Sequence, residues 1–320
     1  MESPPNDPKK HHYIPKFYLS SWASEEDGKL CEYSLPYDRI KPYRRHPSAT
    51  GYIDRLYEFA GWSDPVAQIL ETKFFSPVDS AAASAMQVML QHGNEVQWTS
   101  RLRTGWAQFL HCMLLRMPED IELFKGAWRQ MMLSDYDDYW EMRYAAVRNP
   151  DMPTTYRAYM ASLPADQHDR AALNALVSMM ASINVGQRIM DMVWYVVDTE
   201  PTDYPLLTSD RPVIRSNGIE AANGHIAMPI GPRKLFIAAK DRQVLGTILG
   251  LGSRVLLRES NRLVVRRAAK FVYGIDDAQL PFVKKHFGRD PDHRLLESTV
   301  AKIDEIKARI VELDVESNRR

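Results

Sequence analysis

Two adjacent histidines, His11 and His12, lie close to the start of the chain, directly before an apolar and aromatic segment. Because imidazole changes charge near neutral pH, either ring could serve as a general acid or base. On a strand, neighbouring side chains point to opposite faces, so at most one of the two would face a shared site. The alternative is a polar segment that contains one hydrogen-bonded, structural histidine.

A carboxylate with two possible uses is Asp210, which stands between Ser209 and Arg211 after a short apolar run. Loops at the end of a buried strand commonly present catalytic carboxylates. The same position also suits a structural turn, in which an aspartate accepts hydrogen bonds from nearby backbone N–H groups. The residue types alone leave both interpretations open.

Arg116 is the last charged residue before Pro118, at the end of an otherwise apolar stretch. An arginine at a helix end can satisfy the terminal carbonyl groups. It can equally act as a buried anion clamp, because its guanidinium presents a planar fork of donors. The sequence does not separate these two roles.

Basic residues recur at every fourth position in a late segment, at Arg254, Arg258, Arg262, Arg266 and Lys270. Each step of four residues drifts by about 40° around a helix, so the five would sweep one side of it. Asn261 lies at the border of that side, near the first two arginines. A stretch with a single acid, Glu259, favours binding of an anion or phosphate, and the alternative is an ordinary solvated helix face.

The elements that must position these residues indicate an α+β protein. Short strands are expected near the start, as at 30–35, and helices fill the middle at 64–92, broken at Ser76-Pro77, and at 98–117, 119–147 and 167–190. Five apolar segments then predict strands, at 192–197, 206–208, 212–214, 227–230 and 234–239, the first of them fully buried. The last helices are expected at 241–249, 253–271 and 278–286.

This order predicts a mainly helical body with a small central β-sheet, built by segments on either side of the helical middle at 64–190. Residues 1–10 form a flexible lead-in, and 11–293 form a single α+β domain. An amphipathic helix at 294–320 follows, whose apolar face is expected to dock on the protein's own core, with a self-association seam as the alternative.

Composition excludes several classes of function. The chain has 320 residues, with 41 basic and 41 acidic side chains, so its net charge gives no general attraction to nucleic acid or membranes. Its two cysteines form neither a zinc pattern nor a disulfide framework. No apolar stretch approaches the ~20 residues of a membrane span, and no signal-peptide core is present. We therefore expect a cytoplasmic protein without a membrane partner.

Several short motifs, in order along the chain, are similar to those of the uncharacterised family DUF4238. They are HYIPKFYL from His12 to Leu19, TSDRPV from Thr208 to Val213, MPIGP from Met228 to Pro232, and a late helix with Asn261 before AKFVY at 269–273. The resemblance spans His11 to Tyr273 and includes the Arg-x-Pro at 116–118. It implies no particular activity, but it marks His12 rather than His11, together with Asp210 and Asn261, as motif positions.

Two classes of function follow. The first is a hydrolase, specifically a nuclease, in which His12 is the general base or acid, Asp210 orients it or holds a divalent metal, and Asn261 completes the catalytic set. Its phosphate-bearing substrate would be bound by Arg116, Arg254 and Arg258. The second is a non-catalytic regulatory protein that binds nucleic acid or another protein. Convergence of His12 and Asp210 in one pocket would separate the two classes.

Overall fold

The computed structural model describes residues 10–36, 39–58, 68–133, 138–199, 204–216, 218–290 and 297. The first part is built from short elements. They are β1 (Lys10–His12), α1 (Lys16–Leu19), β2 (Leu30–Ser34), β3 (Lys41–Arg45) and β4 (Tyr52–Asp54), with 3₁₀ turns at Ser20–Trp22 and Pro47–Ala49.

Helices make up the middle of the chain, as the sequence predicts. They are α2 (Ser76–His92), α3 (Ser100–Met113), α4 (Pro118–Leu133), α5 (Asp138–Val147), α6 (Tyr156–Ser162), α7 (Ala165–Met180) and α8 (Ile183–Asp191). A π-helical turn at Glu71–Phe75 leads directly into α2, and a 3₁₀ turn at Gly93–Glu95 follows it.

Strands and helices alternate in the last part. They are β5 (Val193–Asp198), β6 (Thr208–Ser209), β7 (Ile214–Arg215), β8 (His225–Gly231), β9 (Lys234–Ala239), α9 (Arg242–Leu249), α10 (Ser253–Arg267), β10 (Phe271–Gly274) and α11 (Leu280–His286). The α+β class expected from the sequence is thus confirmed.

The described strands form three antiparallel sheets rather than one central sheet. The shared sheet has the order β3-β2-β10-β6, so strands from before and after the helical middle pair within it, as predicted. The C-terminal sheet has the order β5-β9-β8-β7, and β1 and β4 form a two-stranded ribbon.

The C-terminal sheet is buried on both faces. In β9, Phe236 and Ala238 pack into the core under the helical middle, whereas Leu235, Ile237 and Ala239 pack into a second core beneath α9 and α10. A strand covered on both faces needs apolar residues at successive positions. This explains why the segment Lys234–Ala239 is continuously apolar after its first residue, and the strand expected at 234–239 is confirmed.

Two further expectations, the burial of the strand at 192–197 and the end of the helix at 98–117, differ from the structure. β5 lies at the edge of the C-terminal sheet, and its first three residues are half-buried, so the expected full burial is wrong. Pro118 does not end the preceding helix: α3 stops at Met113, and the proline is the first residue of α4. A proline is favourable there because it has no N–H to leave unpaired.

The helical runs expected at 64–92 and 119–147 also differ in detail. Ser76-Pro77 does not separate two helices: the π-helical turn continues directly into α2, and Pro77 stands in the first turn of α2. The second run consists of α4 and α5. Most of the lead-in expected at 1–10 and nearly all of the helix expected at 294–320 lie outside the described residues. In the part that the structure describes, no helix is long and apolar enough to cross a membrane.

Close packing of α2 against α3 depends on Gly105. A Cβ at this position would stand 2.7 Å from the Cβ of Ala81. A Cβ at Gly126 in α4 would meet nothing within 4 Å. We expect Gly105→Ala to destabilise the fold by roughly 1–2 kcal/mol, because overpacking outweighs the gain in helix propensity.

The matched control, Gly126→Ala, should instead stabilise the protein by about 0.5–1 kcal/mol through helix propensity alone. Urea unfolding followed by circular dichroism measures both changes. Equal stabilisation by the two substitutions would show that α2 and α3 do not approach as closely as described.

Candidate functional site

The two histidines of β1 face opposite sides, as expected. His11 is fully buried, stacked on Tyr57 at a ring distance of 5.5 Å. Its Nδ1 accepts a hydrogen bond from the backbone N–H of Tyr57 at 2.9 Å, so its Nε2 donates to Gln68 Oε1 at 2.5 Å. Both ring nitrogens are used, and His11 is therefore a structural histidine.

His12 is half-buried, with its ring 5.5 Å from that of Tyr52. Burial lowers the pKa of His12, hydrogen bonding to the backbone of Ser48 opposes this, and the charge of Arg116 lowers it further. Its Nε2 is buried and has no hydrogen-bond partner among the described residues. The lowered pKa favours the neutral ring of His12, whose Nε2 is uncommitted among the described residues.

Arg116 lies between α3 and α4, and its guanidinium is fully buried. Nη1 and Nη2 face the carboxylate of Asp79, with the shorter contact at 2.9 Å. Nε donates to the carbonyl of Tyr13 at 2.8 Å, and Nη2 donates to that of His12 at 3.2 Å. Arg116 therefore binds the N-terminal motif to α2, and it has little capacity left for the phosphate that the sequence assigned to it.

Glu71, at the start of the π-helical turn, is a carboxylate that the sequence did not single out. Burial raises the pKa of Glu71 to about 7, against the opposing charge of Arg116. Its Oε2 is buried without a hydrogen-bond partner in the described part of the chain. The π-helical turn is the signal that could have drawn attention to it, since such turns are frequent at functional sites, but periodicity does not reveal one in a sequence.

Asp210 is fully buried, and its carboxylate holds a turn. It accepts hydrogen bonds from the backbone N–H groups of Ala269, Lys270 and Phe271, at 2.9, 2.5 and 3.1 Å. Burial raises the pKa of Asp210 to about 6, and these three bonds work in the opposite direction. The geometry favours the structural interpretation of Asp210, and its catalytic role stays a prediction.

Asn261 is buried on the inner side of α10. Its Oδ1 accepts the backbone N–H of Leu207 at 2.7 Å, and its Nδ2 donates to the carbonyl of Pro205 at 3.0 Å. Gln279 donates to the same carbonyl at 2.9 Å. The amide of Asn261 therefore fixes the segment that leads into β6, and its catalytic role also stays a prediction.

A polar cluster beside the shared sheet is formed by Glu32 of β2, Tyr273 of β10 and Thr50, of which only Tyr273 falls within a motif quoted from the sequence. Thr50 donates to Glu32 Oε2 at 2.5 Å, so the hydroxyl of Tyr273, 3.0 Å from Thr50 Oγ1, donates to Thr50. Burial raises the pKa of Glu32. An acid within an apolar strand such as LCEYS was the available signal, because a buried carboxylate needs partners.

His12 and Asp210 do not share a hydrogen-bond partner among the described residues. The ring of His12 contacts Tyr52 and the backbone of Ser48, whereas the carboxylate of Asp210 contacts backbone N–H groups after α10. The hydrogen bonds of the described residues therefore do not link the two side chains, and the His/Asp pair stays a prediction. The described residues also contain no group of three or more His, Cys, Asp or Glu side chains that could hold a metal ion.

Three of the residues that the sequence singled out do meet. Arg254, Arg258 and Asn261 line one cavity of about 580 Å³ between α10 and α11, which we name the α10–α11 cavity. Its walls also include Tyr204, Leu257, Gln279, Pro281 and Phe282. A cavity of this size with mostly apolar walls is typical of a ligand site.

The five basic residues spaced four apart, Arg254, Arg258, Arg262, Arg266 and Lys270, do not all lie on one helix. α10 ends at Arg267, so Lys270 lies beyond it, where its Nζ contacts Glu119 at 2.8 Å. Arg262 pairs with Glu259 at 2.6 Å, and the exposed Arg258 approaches the same carboxylate at 3.8 Å. The prediction that all five basic residues lie on one helix is thus wrong for Lys270, whereas the four arginines do lie on α10.

The fold is of the α+β class, and buried hydrogen bonds connect residues of the sequence motifs with one another. The chain belongs to the family described as a protein of unknown function (DUF4238), whose model matches residues 10–278. No curated protein and no solved structure matches the chain. The family resemblance of the motifs is confirmed, and it brings no activity with it.

The three backbone N–H groups bound by Asp210 yield a stability prediction. Asp210→Asn should destabilise the fold by roughly 2–4 kcal/mol, because an amide accepts through one oxygen only and turns its NH₂ towards buried donors. Asp276→Asn is the matched control: Asp276 is exposed and accepts one N–H, from Ala278 at 3.1 Å.

The control should cost less than about 1 kcal/mol. Chemical unfolding at pH 7.5 measures both variants. A cost for Asp210→Asn no larger than that of Asp276→Asn would contradict the structural role and return Asp210 to the list of candidate catalytic groups.

Proposed function

We propose that this protein binds single-stranded nucleic acid without catalysis, with one base entering the α10–α11 cavity and phosphates contacting the arginines of α10. The observation that carries this proposal is the cavity itself: it combines apolar walls with Arg254 and Arg258, and it lies open beside a helix of basic residues. Proteins that bind single strands combine such aromatic or apolar platforms with basic grooves.

Local charge supports the proposal despite the zero net charge of the chain. Burial and then the charges of Lys285, Arg266, Arg289 and Arg262 lower the pKa of His286 at the end of α11. The basic groups of α10 and α11 therefore act on the same region. A positive region of this kind attracts phosphates even when the whole protein is neutral.

Aromatic side chains at the cavity supply surfaces for base stacking. Tyr204 is 68 % exposed, and the half-buried Phe282 packs against His286 at a ring distance of 4.7 Å. Stacking of a base on such a ring contributes about 1–3 kcal/mol and is tolerant of sequence. The proposal therefore expects little base specificity.

A salt titration tests the phosphate contacts. Binding of a fluorescent 12-nucleotide single strand should weaken with a slope of about −0.7 per phosphate contact when log K is plotted against log salt. Arg254→Ala combined with Arg258→Ala should flatten this slope by roughly 1–2 units. The exposed Arg101→Ala, on α3, is the matched control and should leave the slope unchanged.

Tyr204→Ala separates stacking from charge. It should weaken binding about tenfold without changing the salt slope, because it removes a ring and no charge. Fluorescence anisotropy measures both quantities. Absence of salt-sensitive binding in the unmodified protein, or an equal change of slope in Arg101→Ala, would rule the proposal out.

A hydrolase remains the second candidate, because His12 Nε2 and Glu71 Oε2 are buried, unpartnered in the described chain, and both affected by the charge of Arg116. His12 would act as the general base that activates water for attack on a phosphodiester. Glu71, with a pKa of about 7, would return a proton to the leaving group. This pair would replace the His12 and Asp210 pair of the sequence-based hypothesis.

Hydrolysis of bis(p-nitrophenyl) phosphate tests the second candidate. His12→Ala should lower the rate by roughly 10²–10⁴-fold, since it removes the base, whereas the exposed His92→Ala should not. His11→Ala should destabilise the fold, because it would leave Gln68 Oε1 and the N–H of Tyr57 without these partners. A rate at the background level in the unmodified protein, or full activity of His12→Ala, would dismiss the hydrolase. Either function fits the cytoplasmic location that the sequence predicts.

A further inference from the structure

A second cavity, separate from the α10–α11 cavity, lies between α3 and the junction of α7 with α8. It has a volume of about 250 Å³, and we name it the α3–α8 cavity. Ala107, Met180, Ile183 and Met190 give it apolar walls, and the neutral polar side chains Thr104 and Gln108 lie on one side. Of the described residues that line it, only His111 can take up a charge.

Among the described residues that line this cavity, His111 has a buried ring nitrogen without a hydrogen-bond partner. The side chain is 5 % exposed, and burial lowers its pKa while hydrogen bonding to the backbone of Met180 raises it. A backbone carbonyl can only accept, so one ring nitrogen carries the proton in that bond. Nδ1 is buried and has no hydrogen-bond partner among the described residues. We therefore assign the proton to Nε2, so that the lone pair of Nδ1 is an acceptor beside the cavity.

The occupant can be specified by charge, size and hydrogen bonding. Apolar, uncharged walls disfavour an ion, because burying an unpaired charge is costly. A cavity of 150 Å³ is known to admit benzene, so about 250 Å³ accommodates one ring with a polar substituent. The lone pair of Nδ1 selects a ligand that donates a hydrogen bond rather than one that accepts.

We infer that the α3–α8 cavity is a binding site for a small neutral ring compound with an O–H or N–H donor, and that His111 Nδ1 accepts its hydrogen bond. The ring packs against Met180, Met190 and Ile183, and the donor group satisfies the buried nitrogen. This site is independent of the nucleic-acid proposal, because it shares no lining residue with the α10–α11 cavity.

Phenol and anisole, its O-methylated counterpart, test the inference on the intact protein. Both rings fit the cavity, but only phenol can donate to Nδ1. Isothermal titration at pH 7.5 should give phenol an affinity about five- to tenfold higher than that of anisole, the value of one neutral hydrogen bond. Equal affinities would overturn the inference and leave a solvent-filled cavity whose nitrogen binds water.

Two variants test the location of the bound ring. His111→Phe removes the acceptor, so phenol should lose its advantage over anisole. Gly186 lines the cavity, and a Cβ there would meet no atom within 4 Å, so Gly186→Leu can fill the space without a backbone clash. It should abolish binding of both compounds while thermal unfolding stays at or above the value of the unmodified protein. Phenol binding that survives Gly186→Leu would place the ligand elsewhere and refute the site.

Discussion

The hydroxyl of Tyr18 is the contact on which the meeting of the family motifs depends. It donates to the carbonyl of Pro229 at 2.7 Å and lies 2.6 Å from Thr208 Oγ1, so three motifs that are far apart in the chain share one buried oxygen. Burying a hydroxyl without hydrogen-bond partners costs free energy of folding, and Thr208 and Pro229 supply the partners that Tyr18 needs. Trp22, one turn further on, repeats the link by donating to the carbonyl of Leu206 at 2.8 Å.

Arg116 and Asp210 extend the same constraint to the rest of the fold. Arg116 attaches the carbonyls of His12 and Tyr13 to Asp79 on α2, and Asp210 attaches the end of β6 to the segment that begins β10. Removing one partner of a buried charged pair, as Arg116 forms with Asp79, typically costs about 3–5 kcal/mol. The motif residues thus hold the N-terminal segment, the helical middle and the shared sheet together, and this alone is sufficient reason for their residue types.

Sequence patterns predicted those helices and strands whose ends are determined by residues nearby in the sequence. β9 follows from its apolar run, and α9 begins at Arg242 because Asp241 caps it by accepting the N–H of Val244 at 2.8 Å. The end of α10 could not be predicted in this way. Its periodicity continues to Phe271, but the N–H groups of Ala269, Lys270 and Phe271 bind Asp210, about sixty residues earlier, instead of carbonyls within the helix. The carboxylate of Asp210, which is distant in sequence, thus ends this helix. The residues close to Phe271 in the sequence give no sign of this contact.

The same distinction explains why the candidate site was predicted only in part. Side chains that face a ligand must keep donors or acceptors uncommitted, whereas a motif reveals residue types and not their partners. Asp210, Asn261 and His11 have polar groups that the fold itself uses, while Arg258 reaches into solvent and His12, Glu71 and His111 each retain an atom without a partner in the described chain. Function is therefore to be sought where hydrogen-bonding capacity remains after folding, at the α10–α11 and α3–α8 cavities and beside Arg116.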